Sequence, residues 1–281
     1  MKARSLPVLG PKGFVTLAYY EWPGPPGAPT VICVHGLTRN GRDFDTLAEA
    51  LAARFRVVCP DMPGRGASDW LDDGADYSFP LYLAVTAALF ARLDVASVDW
   101  VGTSMGGLIG MLFAGLTNAP VRRLVLNDIG PVLPKEGLER IGNAVGGDPA
   151  FSSRDELEAH LRQAHARFGP LSDAQWRHLA LHSGRTRGDG RLGLAYDPKI
   201  GQSVRAAAVQ DIDLWPFYDK LRCQTLVLRG AESDILRADD AAAMTGRGPG
   251  ARVVEFAGVG HAPALMVPDQ IAAIRDFFVA G

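Results

Sequence analysis

Apolar residues fall into two kinds of run along this chain, and the two kinds alternate. Short β-branched stretches are followed by longer ones whose apolar positions recur at helical spacing, the pattern of strands interleaved with amphipathic helices. Phe14 to Trp22 alternates apolar with polar and predicts an early strand, leading into the turn-rich Pro23-Gly24-Pro25-Pro26-Gly27. Thr30 to Gly36 is a continuous apolar run, as expected of a strand covered on both faces. Asp43 to Phe55 predicts a helix, Arg56 to Gly64 a strand with its exit turn, and Pro80 to Leu93 a second helix. Ser97 to Gly102 and Val121 to Pro131 read as further strands, the latter stopped by Gly130-Pro131.

The alternation then breaks. From about residue 131 to about residue 215 the pattern is helical and loop-like. Ser153-Arg154-Asp155-Glu156 opens one helix as a capping box, and Ser172-Asp173-Ala174-Gln175 opens another. Strand character resumes at Gln224 to Gly230 and at Ala251 to Gly258, before a C-terminal helix. The pattern predicts a mainly parallel sheet with helices on both faces. Its core comprises residues 1–130 and 216–281, with a helical cap inserted over residues 131–215.

One junction in this pattern carries chemistry. Asp99 to Gly115, DWVGTSMGGLIGMLFAG, runs from a strand end into an apolar, glycine-rich helix. Ser104 stands between them, in Gly102-x-Ser104-x-Gly106. A nucleophilic serine needs this setting: a sharp turn that exposes its hydroxyl, small neighbours that let other backbone approach, and helix N–H groups aimed at developing negative charge. The hydroxyl also needs a base. Of the six histidines, His160, His165, His178 and His182 lie in the interrupting segment. His178 and His182 have i, i+4 spacing without an H-E-x-x-H pattern, which reads as a solvated helix face and not as a metal site. His261 sits in a glycine-rich loop after the last strand, where a side chain can be presented to a cleft. His35 ends an early strand in His35-Gly36-Leu37 and reads as a residue that orders its loop. The Leu37 N–H there could join that of Met105 in holding an oxyanion.

Four motifs in order now stand out: His35-Gly36-Leu37, Asp61-Met62-Pro63-Gly64-Arg65-Gly66, Gly102-Thr103-Ser104-Met105-Gly106-Gly107 and Gly260-His261. Together they resemble the α/β-hydrolase superfamily over nearly the whole chain. The resemblance implies an eight-stranded sheet with a cap inserted after the sixth strand. It also implies Ser104 as nucleophile, His261 as base, and an oxyanion hole from the backbone N–H groups of Leu37 and Met105. Most of the family carries the triad acid just after the seventh strand, in Gly-x-x-Asp. Here that turn reads Gly230-Ala231-Glu232-Ser233-Asp234, so Ser233 holds the expected place and Asp234 comes one residue late. The sixth strand also ends in an acid, Asp128 in Asn127-Asp128-Ile129-Gly130-Pro131, a turn that carries the acid in some esterase-like members. The reading favours Asp128 and keeps Asp234 as the alternative.

The expected activity is hydrolysis of a carboxylic ester or related small acyl substrate through an acyl-enzyme, without metal or organic cofactor. A C–C bond hydrolase, an amidase or a lactonase would use the same residues, and a catalytically silent receptor is the reading from outside enzymology. Relatives with an aspartate nucleophile are excluded by Ser104. For substrate contacts, Arg39 could attract a carboxylate or be a surface residue of the Asn40-Gly41 turn; His35 is the other candidate.

Composition narrows the setting. A net charge of −2 over 281 residues, with no run of one sign, argues against nucleic-acid or membrane partners. The N-terminus lacks the apolar core of a secretory signal, and no apolar run is long enough to span a bilayer. Cys33, Cys59 and Cys223 form no paired framework, as in a reducing, cytoplasmic compartment. Monomer and homodimer are both open.

Overall fold

The computed structural model describes residues 1–207 and 210–280. Its centre is an eight-stranded sheet: β1 (Lys2–Gly10), β2 (Gly13–Trp22), β3 (Thr30–Val34), β4 (Arg56–Pro60), β5 (Val98–Thr103), β6 (Val121–Asn127), β7 (Gln224–Gly230) and β8 (Arg252–Phe256). The spatial order is β1-β2-β4-β3-β5-β6-β7-β8. β2 is antiparallel to both β1 and β4, and every other pairing is parallel. The continuous apolar runs occupy the middle because parallel strands are covered on both faces; β3 is buried along its whole length.

β1 has no counterpart among the predicted strands. It is an edge strand with only Leu6 and Val8 buried and Pro7 exposed, too weakly alternating to announce itself. Helices α1 (Asp45–Leu51), α2 (Phe79–Leu93) and α3 (Met105–Ala114) follow β3, β4 and β5. One core layer holds Leu89, Trp100 and Ile109; the other holds Phe44, Leu47, Val101 and Phe278.

Between β6 and β7 the chain forms α4 (Lys135–Ala144), α5 (Arg154–Ala164), α6 (Asp173–Ser183), α7 (Ile200–Ala207) and the short α8 (Trp215–Tyr218). Ser153 Oγ accepts from Glu156 N–H, and Ser172 with Gln175 completes a capping box. The segment is not purely helical. Ala150–Phe151, Leu192–Leu194 and Gly184–Thr186 form a small sheet, and Val132–Leu133 pairs with Ile212–Asp213. Strands of two or three residues are below the length at which periodicity can be read. Phe151, Leu157, Leu161, Trp176 and Leu179 of this segment cluster with Met266 from the loop that carries His261. α9 (Ala238–Met244) and α10 (Pro268–Val279) complete the chain. Among the described residues no helix is long and apolar enough to cross a membrane.

Candidate active site

Ser104 directly follows β5 and is the N-cap of α3, with φ 51° and ψ −114°. A non-glycine residue reaches that region only under constraint, and such strain marks functional turns. The flanking glycines make the turn possible. A Cβ on Gly106 would overlap the Val34 carbonyl, and one on Gly102 the backbone of Gly106. Ser104 N–H is tied to the Asn127 carbonyl at 3.0 Å, so the ends of β5 and β6 are locked together.

Three side chains from three strand ends meet here. His261 Nε2 lies 2.9 Å from Ser104 Oγ, and His261 Nδ1 lies 2.7 Å from Asp128 Oδ2. Asp128 follows β6 and is fully buried with φ 56°, a left-handed conformation that aspartate tolerates better than most residues. Its Oδ1 accepts Gly230 N–H at 2.7 Å, and its Oδ2 also accepts Ser233 Oγ–H at 2.5 Å. Asn127 holds the histidine loop by donating to the Pro263 carbonyl at 2.8 Å. Asp234 points elsewhere: Arg140 Nη2 donates to its Oδ1 at 2.9 Å, and Arg167 lies 3.5 Å from its Oδ2. These partners hold its carboxyl below the usual range against the opposing effect of burial.

The backbone opposite the serine is equally well fixed. Among the described residues, neither Leu37 N–H nor Met105 N–H has a protein acceptor. Each is therefore available to an external oxygen. His35 is fully buried, and both ring nitrogens are engaged: Nδ1–H donates to the Gly36 carbonyl at 2.7 Å, and Nε2 accepts Met62 N–H at 2.9 Å. The Gly36 carbonyl shares its peptide plane with Leu37 N–H, so His35 sets the direction of that donor. Burial pushes the His35 pKa down to about 3, so the ring is neutral. This removes His35 as a substrate contact and makes it the loop-ordering residue. Buried Arg65 adds a second clamp, donating to the Leu37 carbonyl at 2.7 Å.

Two expectations about side chains change. Arg39 is buried, not a surface residue, and its fork grips Asp43 at 2.8 and 2.7 Å. His178 and His182 are not a solvated face. His178 Nε2–H donates to the Arg42 carbonyl at 3.0 Å, and His182 Nδ1 lies 3.4 Å from Arg42 Nη1. Asp45 joins them, with ligand-type atoms of the three within 4.8 Å of one another, but the Arg42 guanidinium already supplies its cation at 2.5 Å. Burial and the Arg42 charge push His182 down to about 4.

Ser104 opens onto two cavities. One, of about 350 Å³, is lined by Phe79, Leu108, Leu133, Leu138 and Ile200 among others. The other, of about 180 Å³, contains His261 and several basic side chains. A half-buried serine hydroxyl that borders two cavities on a strained turn, bonded to an imidazole that is bonded to a buried carboxylate, is a constellation competent for acyl transfer.

Comparison with known proteins agrees. Residues 31–274 match the model of the alpha/beta hydrolase family. The chain belongs to that family. It is 44% identical over 278 residues to the 3-hydroxybutyrate-oligomer hydrolase of Cupriavidus necator, covering 96% of this chain and 95% of that one. It is 28% identical over 255 residues to the 2-(acetamidomethylene)succinate hydrolase of Mesorhizobium japonicum, covering 90% and 88%. The crystal structure of an α/β hydrolase from Novosphingobium aromaticivorans superposes with a TM-score of 0.88 at 38% identity, over 100% of this chain and 98% of the other. This α/β hydrolase is an enzyme that hydrolyses ester bonds.

Sequence reasoning passed over two residues that this hydrolase uses to build its site. Ser233 was visible as a serine in the place where an acid was expected, but its bond to Asp128 was not. Arg65 lay inside the Asp61 to Gly66 motif, and only the fold carries it to Leu37.

Proposed function

We propose that this hydrolase cleaves short oligomers of 3-hydroxybutyrate, with Ser104 as nucleophile, His261 as base and Asp128 as the acid that orients it. The observation that carries the chemistry is the continuous hydrogen-bonded line from Ser104 Oγ through both His261 nitrogens to Asp128 Oδ2. What supports the substrate is the likeness to the Cupriavidus necator enzyme, which extends through the segment between β6 and β7.

In this reading His261 Nε2 takes the Ser104 proton as Oγ attacks the ester carbonyl. The carbonyl oxygen becomes an oxyanion held by Leu37 and Met105 N–H, at the positive end of α3. Removing one such donor costs about 3 kcal/mol in enzymes of this kind. The imidazolium, stabilised by Asp128, then protonates the departing alcohol oxygen. Water deprotonated by the same nitrogen releases the acid. Residues 131–215 act as the cap over this centre and shape both cavities. The three free cysteines, two of them buried, fit a cytoplasmic setting.

The test is direct. Purified protein is incubated with the dimer and trimer of 3-hydroxybutyrate, and monomer release is followed. Turnover lost in Ser104→Ala is the expected result. Hydrolysis of p-nitrophenyl butyrate without hydrolysis of either oligomer would refute the substrate while leaving the esterase chemistry standing.

A further inference from the structure

The two cavities at Ser104 differ in charge. Among the described residues lining the 350 Å³ cavity there is no charged side chain. The 180 Å³ cavity is lined by Arg39, Arg140, His160 and His165, with no carboxylate among its described lining residues. The acids that neutralise its arginines stand behind them. Arg39 grips Asp43 through Nε and Nη2, and Arg140 grips Asp234 through the same two nitrogens. Among the described residues neither Nη1 has an acceptor. The Arg39 side chain, only 7% exposed, borders this substrate-sized space and keeps a cationic donor without a protein partner. Burial and the Arg39 charge lower the His165 pKa.

The cavities also differ in which part of the machinery they hold. His261 lines the basic one, whereas Met105 lines the apolar one. The group that returns a proton must face the leaving oxygen, so the departing alcohol belongs on the His261 side. The acyl chain then extends past the Met105 donor into the apolar cavity. A 3-hydroxybutyrate oligomer has a hydroxyl at one end and a carboxylate at the other. When its last unit leaves as the alcohol, that carboxylate lies only a few bonds from the ester oxygen.

We propose that the Arg39–Arg140 chamber beside His261 seats the carboxylate of the departing hydroxyacid, so that the enzyme cuts oligoesters from their carboxylate end. The bond changes are those of the hydrolysis already described, on which this proposal rests; the new element is the direction of the substrate. Arg39 and Arg140 become the residues that determine specificity.

Three probes of similar size read the direction. 3-Butyryloxybutyrate carries a carboxylate on its leaving group, its primary amide is neutral there, and mono-sec-butyl succinate carries the carboxylate on the acyl side. We expect kcat/KM for the first to exceed that for the amide by about tenfold or more, as a charge-assisted bond to a buried guanidinium should give. The succinate should fall below both. Arg39→Gln and Arg140→Gln should each shrink the acid-to-amide ratio, chiefly through KM, and Arg140→Lys should restore part of it; unchanged melting temperatures establish that the variants fold. A trimer isotopically labelled at its hydroxyl-end unit should yield labelled dimer and unlabelled monomer first. Equal turnover of acid and amide, preference for the succinate, or a ratio indifferent to both glutamine variants would overturn the inference. Labelled monomer appearing first would overturn it too, whereas a trimer left uncut with the probe ratios intact would refute the oligomer substrate alone.

Discussion

Ser233 Oγ donates to Asp128 Oδ2 across 2.5 Å, joining the turn after β7 to the end of β6. The hydroxyl in turn accepts N–H from Ile235 at 3.2 Å and Leu236 at 3.1 Å, so its own position is fixed. Together with Gly230 N–H, Ser233 presents the Asp128 carboxylate to His261 in one orientation. The two strand ends act jointly, β6 bringing the charge and β7 its support.

Asp128→Asn is therefore expected to lower kcat by at least about a hundredfold, because an amide favours the wrong imidazole tautomer and cannot stabilise the imidazolium. Ser233→Ala removes a supporting bond only and should cost less, about tenfold or under, on the scale of one hydrogen bond. Asp234→Asn should spare kcat and lower the melting temperature slightly, since Asp234 serves a part-exposed ion pair. Steady-state kinetics on a chromogenic ester rank the three. A larger loss at Asp234 than at Asp128 would reverse the assignment.

Ser104→Ala and His261→Ala should each lower kcat by at least about a thousandfold, with the double variant hardly worse, because nucleophile and base act as one unit. Losses that multiply would mean that the two residues do not work together. A fluorophosphonate probe should label the wild type and leave Ser104→Ala unlabelled.

His35 acts through the Gly36–Leu37 peptide, so its replacement should disturb the transition state more than substrate binding. His35→Ala is expected to lower kcat by about tenfold or more with little change in KM, as a misaimed oxyanion donor should. His35→Asn can keep a donor near the Nδ1 position and should recover part of the loss. A change confined to KM would argue against the positioning role.

Stability should fall as pH drops below 6.5. The folded-state pKa of His35 is lowered from 6.5 to about 3, and that of His182 to about 4, both chiefly by burial. Below 6.5 the unfolded chain therefore takes up protons that the native state refuses, and stability is lost progressively toward those values. Asp61 opposes this: burial raises it from 3.8 to about 6, so it adds stability as pH falls through that window. The histidines outnumber it. His35 alone should remove about 2 kcal/mol between pH 6.5 and pH 5, at 1.36 kcal/mol per unit. Urea midpoints measured from pH 7 to pH 5 should decline, and less steeply in His35→Asn. A flat or rising midpoint would contradict the balance.

Much of this enzyme is determined locally and is legible in its sequence. The strand–helix alternation, the glycines around Ser104 and the capping serines at 153 and 172 depend on neighbours within a few residues, so their physics is written in the order of the chain. Ser104, His261, Leu37 and Met105 stand out as candidates because each lies in a glycine-containing turn or loop that follows a strand. What tertiary structure alone decided is which distant groups meet. Asp128 and Asp234 both stand at strand exits on one sheet edge, and the sequence favours Asp128 without excluding Asp234. Only the seating of β6 beside β7 puts Asp128 on His261 and hands Asp234 to Arg140. His178 and His182 look solvated until α6 packs them on Arg42. Arg39 looks like a surface residue until its guanidinium is buried against Asp43. A side chain's charge, tautomer and reach depend on how deeply the core buries it and on which partners, near in sequence like Asp43 or more than a hundred residues away like His261 and Asp128, it brings into contact.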